Sequence, residues 1–427
     1  MKFPIKISPN IASQKEVMLV FENFLSLFSM QSLGYVLPII VLPYLVRTIG
    51  PEKFGLIAFA QAFVQYFMIL TDYGFSLSAT KKISMCQDEK EKLCEIFSSV
   101  MSVKILLSAV SFVVLIMFVR FIPKFRNDWM VFVLSYGAVI GNTLFPLWFF
   151  QGKEKMRYIA IINIIGGIIY AASIFIFVKA PHDYLYVPLL NSLFFLVTGY
   201  LGLRLAFRKF GLFFTLQSYK NIRQELKAGW DIFISTVAIN AYTTSRVFVV
   251  GLLTNNTTTG YYAIAEKIAN FIQTFPLASF SQAVFPRINK IFAKNKQRAI
   301  RVMNKAQDIT TATGIVCLPV IFLFTPQISR MICGCSYPEV VLSLRLLIFS
   351  VFIISANAFK IQFLIVCGKA DLYARIHVAM AVAGLPLLFL LINQFSYTGA
   401  AVATIIIEAG TFILTFIALR KLLYTRL

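Results

Sequence analysis

Ionised side chains inside long apolar segments are the residues of this sequence best placed to do chemistry. A charge in apolar surroundings needs a partner, a proton or water, so such residues usually face a bundle interior or a water-filled cavity. A carboxylate there could exchange a proton or a cation and so couple ion movement to another process. The carboxylates are Asp72, Asp231, Glu266 and Glu408, and the cations are Arg246, Lys267 and Lys360.

Neutral polar residues form a helical face with one of these carboxylates. The face follows the spacing i, i+4, i+7 and i+11 and consists of Gln61, Gln65, Met68 and Asp72. The equivalent positions 205 residues later are Glu266, Asn270, Gln273 and Leu277. Such faces either form hydrogen bonds between helices or line a polar cleft. Because the polar positions recur in both segments, we favour a polar cleft over hydrogen bonds between helices.

The segment around residue 240 is the most polar of the apolar segments. Asp231, Ser235 and Arg246 share one face of a helix, and Asn240 lies beside that face. A helix this polar should not present that side to lipid. Arg246 and Glu266 fall at similar depths in consecutive segments, so an ion pair between two helices and a ligand site are both open interpretations.

The other charged residues within the predicted spans differ in their distance from a helix end. Lys360, like Lys104 and Arg345, is close enough to an end for its side chain to reach the lipid headgroups. Glu408 lies near the middle of the last apolar segment and cannot easily do so. It therefore needs a partner, a proton or water.

The elements that position these residues are membrane-spanning helices. Of the 427 residues 59% are hydrophobic and only 14% charged, with a mean hydropathy of +0.78, whereas soluble chains carry about 25% charged residues. Apolar runs long enough to cross a bilayer predict twelve helices near 22–46, 55–79, 97–119, 129–150, 159–178, 184–203, 229–250, 261–285, 309–326, 341–366, 376–392 and 398–419.

The basic residues that give the net charge of +22 are distributed unevenly among the loops. Alternate loops on the side of the two termini hold 28 of the 40 Lys and Arg residues, and the opposite loops hold 7. By the positive-inside rule both termini are cytoplasmic. The excess of positive charge is therefore explained by the orientation of the chain in the membrane and does not indicate nucleic-acid binding.

The sequence contains few of the residues and motifs that metal binding or catalysis requires. Six cysteines without a CxxC pair and two distant histidines do not suggest a metal site, and no nucleotide-binding or hydrolase motif indicates a cofactor or an enzyme. No predicted loop exceeds about 25 residues, so a soluble catalytic domain has no place. We expect no catalytic residues, no metal and no cofactor.

An internal repeat divides the chain in two. The pattern G-x-x-A-x-A begins at both Gly55 and Gly260, and Gln151-Gly152-Lys153 has an echo in Cys367-Gly368-Lys369. Repeats of this kind are common in transporters. They predict an all-α polytopic protein with two six-helix lobes around a central cavity. The predicted parts are an N-terminal tail 1–21, a lobe 22–203, a basic cytoplasmic connector 204–228, a lobe 229–419 and a C-terminal tail 420–427.

Several segments resemble Wzx-type O-antigen and polysaccharide flippases. They are Pro38 to Arg47 followed by Gly50 and Phe54-Gly55, Asp72 to Thr80, Phe145 to Gly152, Gly260 to Ala263 with Glu266-Lys267-Ile268, and Val284 to Arg287. The resemblance implies the multidrug/oligosaccharidyl-lipid/polysaccharide exporter fold, in the bacterial inner membrane. It also implies an undecaprenyl-pyrophosphate-linked oligosaccharide as substrate, moved by alternating access for O-antigen or related lipopolysaccharide biosynthesis.

That resemblance gives the candidate residues their roles. Cations facing the cavity would meet the pyrophosphate, namely Arg246, Lys267 and Lys360, and polar side chains would line the glycan path, namely Gln61, Gln65, Asn240, Asn270 and Gln273. H+ or Na+ is the candidate coupling ion, and a polysaccharide polymerase and a chain-length regulator are candidate partners. The alternatives are a cation-coupled exporter of small molecules or drugs and, with little support from the short external loops, a membrane-embedded glycan polymerase or ligase.

Overall fold

The computed structural model describes residues 11–424, with side chains described from residue 34 onward apart from residue 35, scattered positions between 239 and 293, and residues 423 and 424. Within residues 11–424 all regular structure is helical. The α-helices are α1 Ile11–Asp72, α2 Phe75–Met85, α3 Lys90–Phe121, α4 Pro123–Arg126, α5 Trp129–Leu144, α6 Leu147–Gly152, α7 Met156–Phe177, α8 Tyr186–Phe210, α9 Tyr219–Thr243, α10 Ser245–Leu253, α11 Asn256–Lys294, α12 Lys296–Leu323, α13 Thr325–Cys333, α14 Pro338–Val366 and α15 Ala370–Tyr424. Predicted tail residues 1–10 and 425–427 lie outside the described part.

Two of these helices each contain a sharp break. Gly50 in α1 has φ 75° and Ser396 in α15 has φ 57°, a region of backbone space that favours glycine. In the described residues, eight helical segments are long and apolar enough to cross a membrane, and the two that contain these breaks are 50 and 53 residues long. Predicted spans seven and eight fall on α9 with α10 and on α11, which are more polar. The count of twelve crossings stays a prediction.

Two predicted helices are interrupted in the structure. The span predicted at 55–79 stops at Asp72, because Tyr73 and Gly74 both adopt positive φ before α2 begins. The span predicted at 129–150 is divided between α5 and α6 at Pro146, which has no backbone N–H to continue the first helix. Both interruptions lie on the side of the bundle where α1 begins, here called the termini side.

The N-terminal half, α1 to α8, and the C-terminal half, α9 to α15, contact each other through α1 and α11. Gly55 of α1 lies against Gly260 of α11, the two glycines of the repeated sequence pattern, and a Cβ added to Gly55 would fall 2.8 Å from the Gly260 Cα. Only glycine permits so close an approach of two backbones. This contact lies on the side opposite the termini, here called the loop side.

Other contacts also join the halves on the loop side. Nε of Arg47 donates a 3.3 Å hydrogen bond to the carbonyl of Ile332, and Nζ of Lys124 donates one of 3.1 Å to the carbonyl of Leu252. Below them, the ring of Phe248 stacks at 5.5 Å on Phe59 and at 5.7 Å on Phe63, whose helix belongs to the other half. The bundle is therefore closed on the loop side by hydrogen bonds over an aromatic layer.

Helix α9 contacts the N-terminal half on the termini side. The ring of Phe233 stacks on Tyr73 at 4.6 Å, and Lys82 forms a 2.7 Å ion pair with Glu225. Residues 204–228, predicted as a connector, comprise the end of α8, an extended stretch 211–218 and the start of α9.

Candidate functional site

A cavity of about 270 Å³ between the two halves brings several of the predicted residues together. Gln61 and Gln65 of α1 line it from the N-terminal half, and Lys267 of α11 lines it from the C-terminal half. Lys267 is exposed within the described protein. This space, here called the central cavity, is therefore lined by one cation and two amide side chains.

The central cavity adjoins a larger one inside the N-terminal half. This second cavity, here called the N-terminal chamber, has a volume of about 580 Å³ and lies between α1, α5, α7 and α8. Its polar lining residues are Asn142, Asn163, Tyr170, Asn191 and Thr198. The two cavities share the lining residues Pro38, Val41, Tyr170, Asn191 and Phe195, so they lie side by side, and the N-terminal chamber extends toward the termini side.

The sequence interpretation missed the polar residues of the N-terminal chamber. They stand singly in strongly apolar spans, without the repeat that drew attention to Gln61 and Gln65. A usable signal was present, because an amide side chain in a membrane span requires a polar partner or water. The side chains of Tyr170 and Asn191, on neighbouring helices, lie close enough to interact with each other.

Two predicted polar residues of α11 line other spaces. Asn270 and Lys267 line a small cavity of about 150 Å³ against Gly34 and Pro38 of α1. Gln273 lines a cavity of about 490 Å³ inside the C-terminal half, with Thr310 on α12 and Ser355 on α14 among its walls. The face predicted to be shared by Glu266, Asn270 and Gln273 is thus divided among three environments.

Arg246 and Glu266 form an ion pair between α10 and α11. Nε of Arg246 lies 3.2 Å from Oε1 of Glu266, and both side chains are only 13% exposed. Glu408, near the middle of the second part of α15, also interacts electrostatically with Arg246. Of the two interpretations that the sequence leaves open, the structure contains the ion pair, and a second carboxylate accompanies it.

Asp72 does not share the environment of Gln61 and Gln65. Its Oδ1 lies 4.0 Å from Nζ of Lys104 on α3, and Lys104 is only 2% exposed. Lys104 also donates a 3.3 Å hydrogen bond to the backbone carbonyl of Asn142. The expectation that Lys104 reaches the headgroups is wrong, because the buried ammonium lies between helices, close to the Asp72 carboxylate and the Asn142 carbonyl.

The remaining candidates lie apart from the central cavity. Nζ of Lys360 stands 5.5 Å from the centre of the Phe412 ring. The side chain of Asn240 donates a 2.8 Å hydrogen bond to the Thr236 carbonyl in its own helix, and Asp231 is exposed on α9. Among the described residues no three His, Cys, Asp or Glu side chains are grouped to hold a metal ion.

Comparison with known proteins places this arrangement in a family. The family described as "Polysaccharide biosynthesis protein" matches residues 20–292. A protein of Escherichia coli (strain K12) named as an O-antigen transporter is 30% identical over 404 residues, which cover 94% of this chain and 97% of that protein.

Solved structures share the fold at low sequence identity. A lipid II flippase, MurJ, in an inward closed conformation superposes with a TM-score of 0.76 at 12% identity, over 95% of this chain and 87% of that one. An inward-facing multidrug resistance transporter of the MATE family superposes with a TM-score of 0.67 at 13% identity, over 94% of this chain and 100% of that one. The described part of this chain therefore has the all-helical fold of these two proteins.

Proposed function

Because this chain belongs to the polysaccharide biosynthesis protein family of Wzx-type flippases, we propose that it moves an undecaprenyl-pyrophosphate-linked oligosaccharide across the bacterial inner membrane. It is a multi-pass membrane protein with the exporter-superfamily fold. In the proposal both termini are cytoplasmic, and the glycan serves O-antigen or related surface polysaccharide biosynthesis. A polymerase and a chain-length regulator would act on the product.

The observation that carries the proposal is the exposed Lys267 in a cavity bounded by both halves. A pyrophosphate needs a cation where water is scarce, and Lys267 supplies one opposite Gln61 and Gln65. The bundle is closed on the loop side, so a substrate would enter from the termini side. Moving the two halves apart on the loop side would separate Lys267 from the glutamines and change the affinity for the anion, as alternating access requires.

The coupling ion is proposed to act in the C-terminal half. Arg246 can neutralise only one of Glu266 and Glu408 at a time, and Lys267 interacts electrostatically with Glu266. This leaves Glu408 as the carboxylate that exchanges H+ or Na+. Reconstituted protein with Glu408→Gln should lose the acceleration of flux by an imposed gradient, and unchanged acceleration would exclude Glu408.

Variants of Lys267 test the substrate site in cells. In a strain lacking the chromosomal gene, Lys267→Ala should reduce surface glycan at least tenfold, because a desolvated anion would lose its countercharge. Lys267→Arg should retain most of it. The matched control is Lys294→Ala, an exposed lysine of the same helix, and the membrane abundance of each variant is measured in parallel. Normal glycan with Lys267→Ala would remove the electrostatic basis of the proposal.

The alternative of a cation-coupled small-molecule exporter has one observation in its favour, the fold shared with the inward-facing multidrug transporter. Deletion of the gene separates the two functions. A flippase predicts loss of surface glycan with unchanged drug tolerance. An exporter predicts the reverse.

A further inference from the structure

The N-terminal chamber is lined by neutral polar and aromatic side chains. Its polar lining is made of amides and hydroxyls from four helices, Asn142, Asn163, Tyr170, Asn191 and Thr198. A neutral amide can both donate and accept hydrogen bonds, as a sugar hydroxyl does. The side chains are spread around the space, so a ligand inside it would meet polar partners on several sides.

Aromatic rings form much of the remaining wall. Phe145, Phe194 and Phe195 line the chamber, with the rings of Phe194 and Phe195 5.1 Å apart and that of Tyr170 6.0 Å from Phe194. The faces of aromatic rings carry partial negative charge and attract the weakly positive C–H groups of a pyranose ring. Few polar groups on an apolar and aromatic wall, in a space of a few hundred Å³, are typical of a small-molecule site.

Charge is confined to one end of this region. Lys267 is the only ionised side chain among the described residues that line the central cavity and the N-terminal chamber. Lys104 lies behind the chamber, but it is 2% exposed and already engaged by Asp72 and the Asn142 carbonyl. A carboxylate placed inside the chamber would therefore be desolvated without a countercharge, which is strongly unfavourable.

We propose that the N-terminal chamber is the glycan subsite and that it selects sugars without charge, while Lys267 holds the diphosphate at its mouth. The assignment rests on the proposed flippase function and adds a substrate class to it. Tyr170 and Asn191 line both spaces, so the chamber adjoins the cavity that Lys267 lines. A diphosphate at Lys267 would thus direct its first sugars between the amides and the rings.

Binding to the full-length protein in lipid nanodiscs tests the assignment with three probes. They are a polyisoprenyl diphosphate without sugar, the same lipid carrying a neutral oligosaccharide, and the same lipid carrying an oligosaccharide with a uronic acid. We expect the neutral glycan to tighten binding at least tenfold over the bare lipid, and the uronic acid to abolish that gain. Equal binding of the neutral and uronic acid probes would overturn the selection of uncharged sugars.

Substitutions of residues that line the N-terminal chamber test whether the glycan binds there. Asn142→Leu and Asn163→Leu, at residues that line the chamber and not the central cavity, should each remove at least threefold of the gain from the neutral glycan and leave affinity for the bare lipid unchanged. A variant that adds volume is also available, because a Cβ on Gly34 would meet no atom within 4 Å. Gly34→Leu should project into the chamber and remove the gain, whereas Gly34→Ala should not. Full glycan affinity in all of these variants would place the glycan elsewhere.

The variant Lys267→Ala separates this inference from the proposed function. It should weaken all three probes by a similar factor, since each carries the diphosphate. If no probe binds, or if Lys267→Ala changes nothing, the flippase site itself is wrong. If Lys267 matters but the chamber variants do not, only the glycan subsite is wrong.

Discussion

Arg246 is held in an ion pair inside the C-terminal half. It is 3.2 Å from Glu266 and interacts with Glu408 as well. Removing one partner of a buried pair leaves an uncompensated charge, which costs about 3–5 kcal/mol, whereas replacing both partners by apolar residues is often neutral. Arg246 is thus better explained as a structural cation of the C-terminal half than as a pyrophosphate ligand.

Stability measurements on the ion pair test that assignment. Arg246→Leu should lower the thermal unfolding temperature of the purified protein strongly, because it isolates Glu266. The double variant Arg246→Leu with Glu266→Leu should recover much of the loss. The control is Lys92→Ala, which removes an exposed pair with Glu89 at 2.6 Å and should cost at most about 1 kcal/mol. If the double variant is no more stable than Arg246→Leu, the ion pair is not the source of the effect.

The sequence predicts some residue pairings and misses others for a physical reason. Arg246 and Glu266 lie in consecutive spans at equal depth, so their pairing follows from topology. Asp72 shares a helical face with Gln65, but its partner Lys104 lies on a different helix whose rotation the sequence does not define. Helical periodicity gives the direction of a side chain on its own helix, and packing decides which neighbour it meets.

At the scale of elements, α14 is held by a side chain that enters its backbone hydrogen bonding. Nε2 of Gln307 on α12 donates a 2.8 Å hydrogen bond to the Ser355 carbonyl, and Oε1 accepts one of 3.0 Å from the Phe359 N–H. In a regular α-helix the Phe359 N–H would donate directly to the Ser355 carbonyl, four residues earlier. Insertion of a side chain at such a position is a recognised cause of helix bending.

Substitution of Gln307 should therefore destabilise the C-terminal half. Gln307→Leu leaves buried backbone groups without their side-chain partner, at a cost of about 1–3 kcal/mol. The unfolding temperature in detergent should fall, while Gln224→Leu, an exposed glutamine on α9, should leave it unchanged. An equal effect of the two changes would mean that α14 closes its own hydrogen bonds without cost.

Closure on the loop side depends on the two glycines that the sequence repeat places there. Gly55→Val should separate α1 from α11, because a Cβ already falls 2.8 Å from the Gly260 Cα. In a background without native cysteines, Gln65→Cys should react with an impermeant maleimide mainly from the termini side. Adding Gly55→Val should open it to reagent from the loop side, and Gly34→Ala should not. Unchanged sidedness with Gly55→Val would mean that this contact does not close the cavity.

The positions of the helices could be predicted from the sequence, whereas the interruptions within them could be predicted only in part. Long apolar runs located the helices, because bilayer thickness sets the minimum length of a span. Several helices extend well beyond the predicted spans: α12 begins at Lys296, where the span was predicted to begin at 309. Pro146 is a visible breaker at the end of α5. The break at Tyr73 and Gly74 has a weaker signal, since Tyr73 has no intrinsic preference for positive φ and is held there by packing, with its ring stacked on Phe233.

At the scale of the whole molecule, the net charge of +22 is interpreted as topology. Reporter fusions test this: alkaline phosphatase, which folds only outside the cytoplasm, should be inactive when fused after residue 424 and active when inserted near His182. The expectation follows from 28 Lys and Arg residues on the termini side against 7 opposite. Activity at the C-terminus would reverse the orientation and with it the direction of transport.

The central claim is that the chain moves a lipid-linked oligosaccharide through the cavity at Lys267. The most direct measurement places a fluorescent lipid-linked oligosaccharide in the inner leaflet of proteoliposomes and follows its exposure to an impermeant quencher outside. The account predicts exposure well above that of protein-free vesicles with the wild-type chain and with Lys294→Ala, and at least a tenfold slower rate with Lys267→Ala. Exposure at the protein-free rate with the wild-type chain, or an undiminished rate with Lys267→Ala, would contradict it.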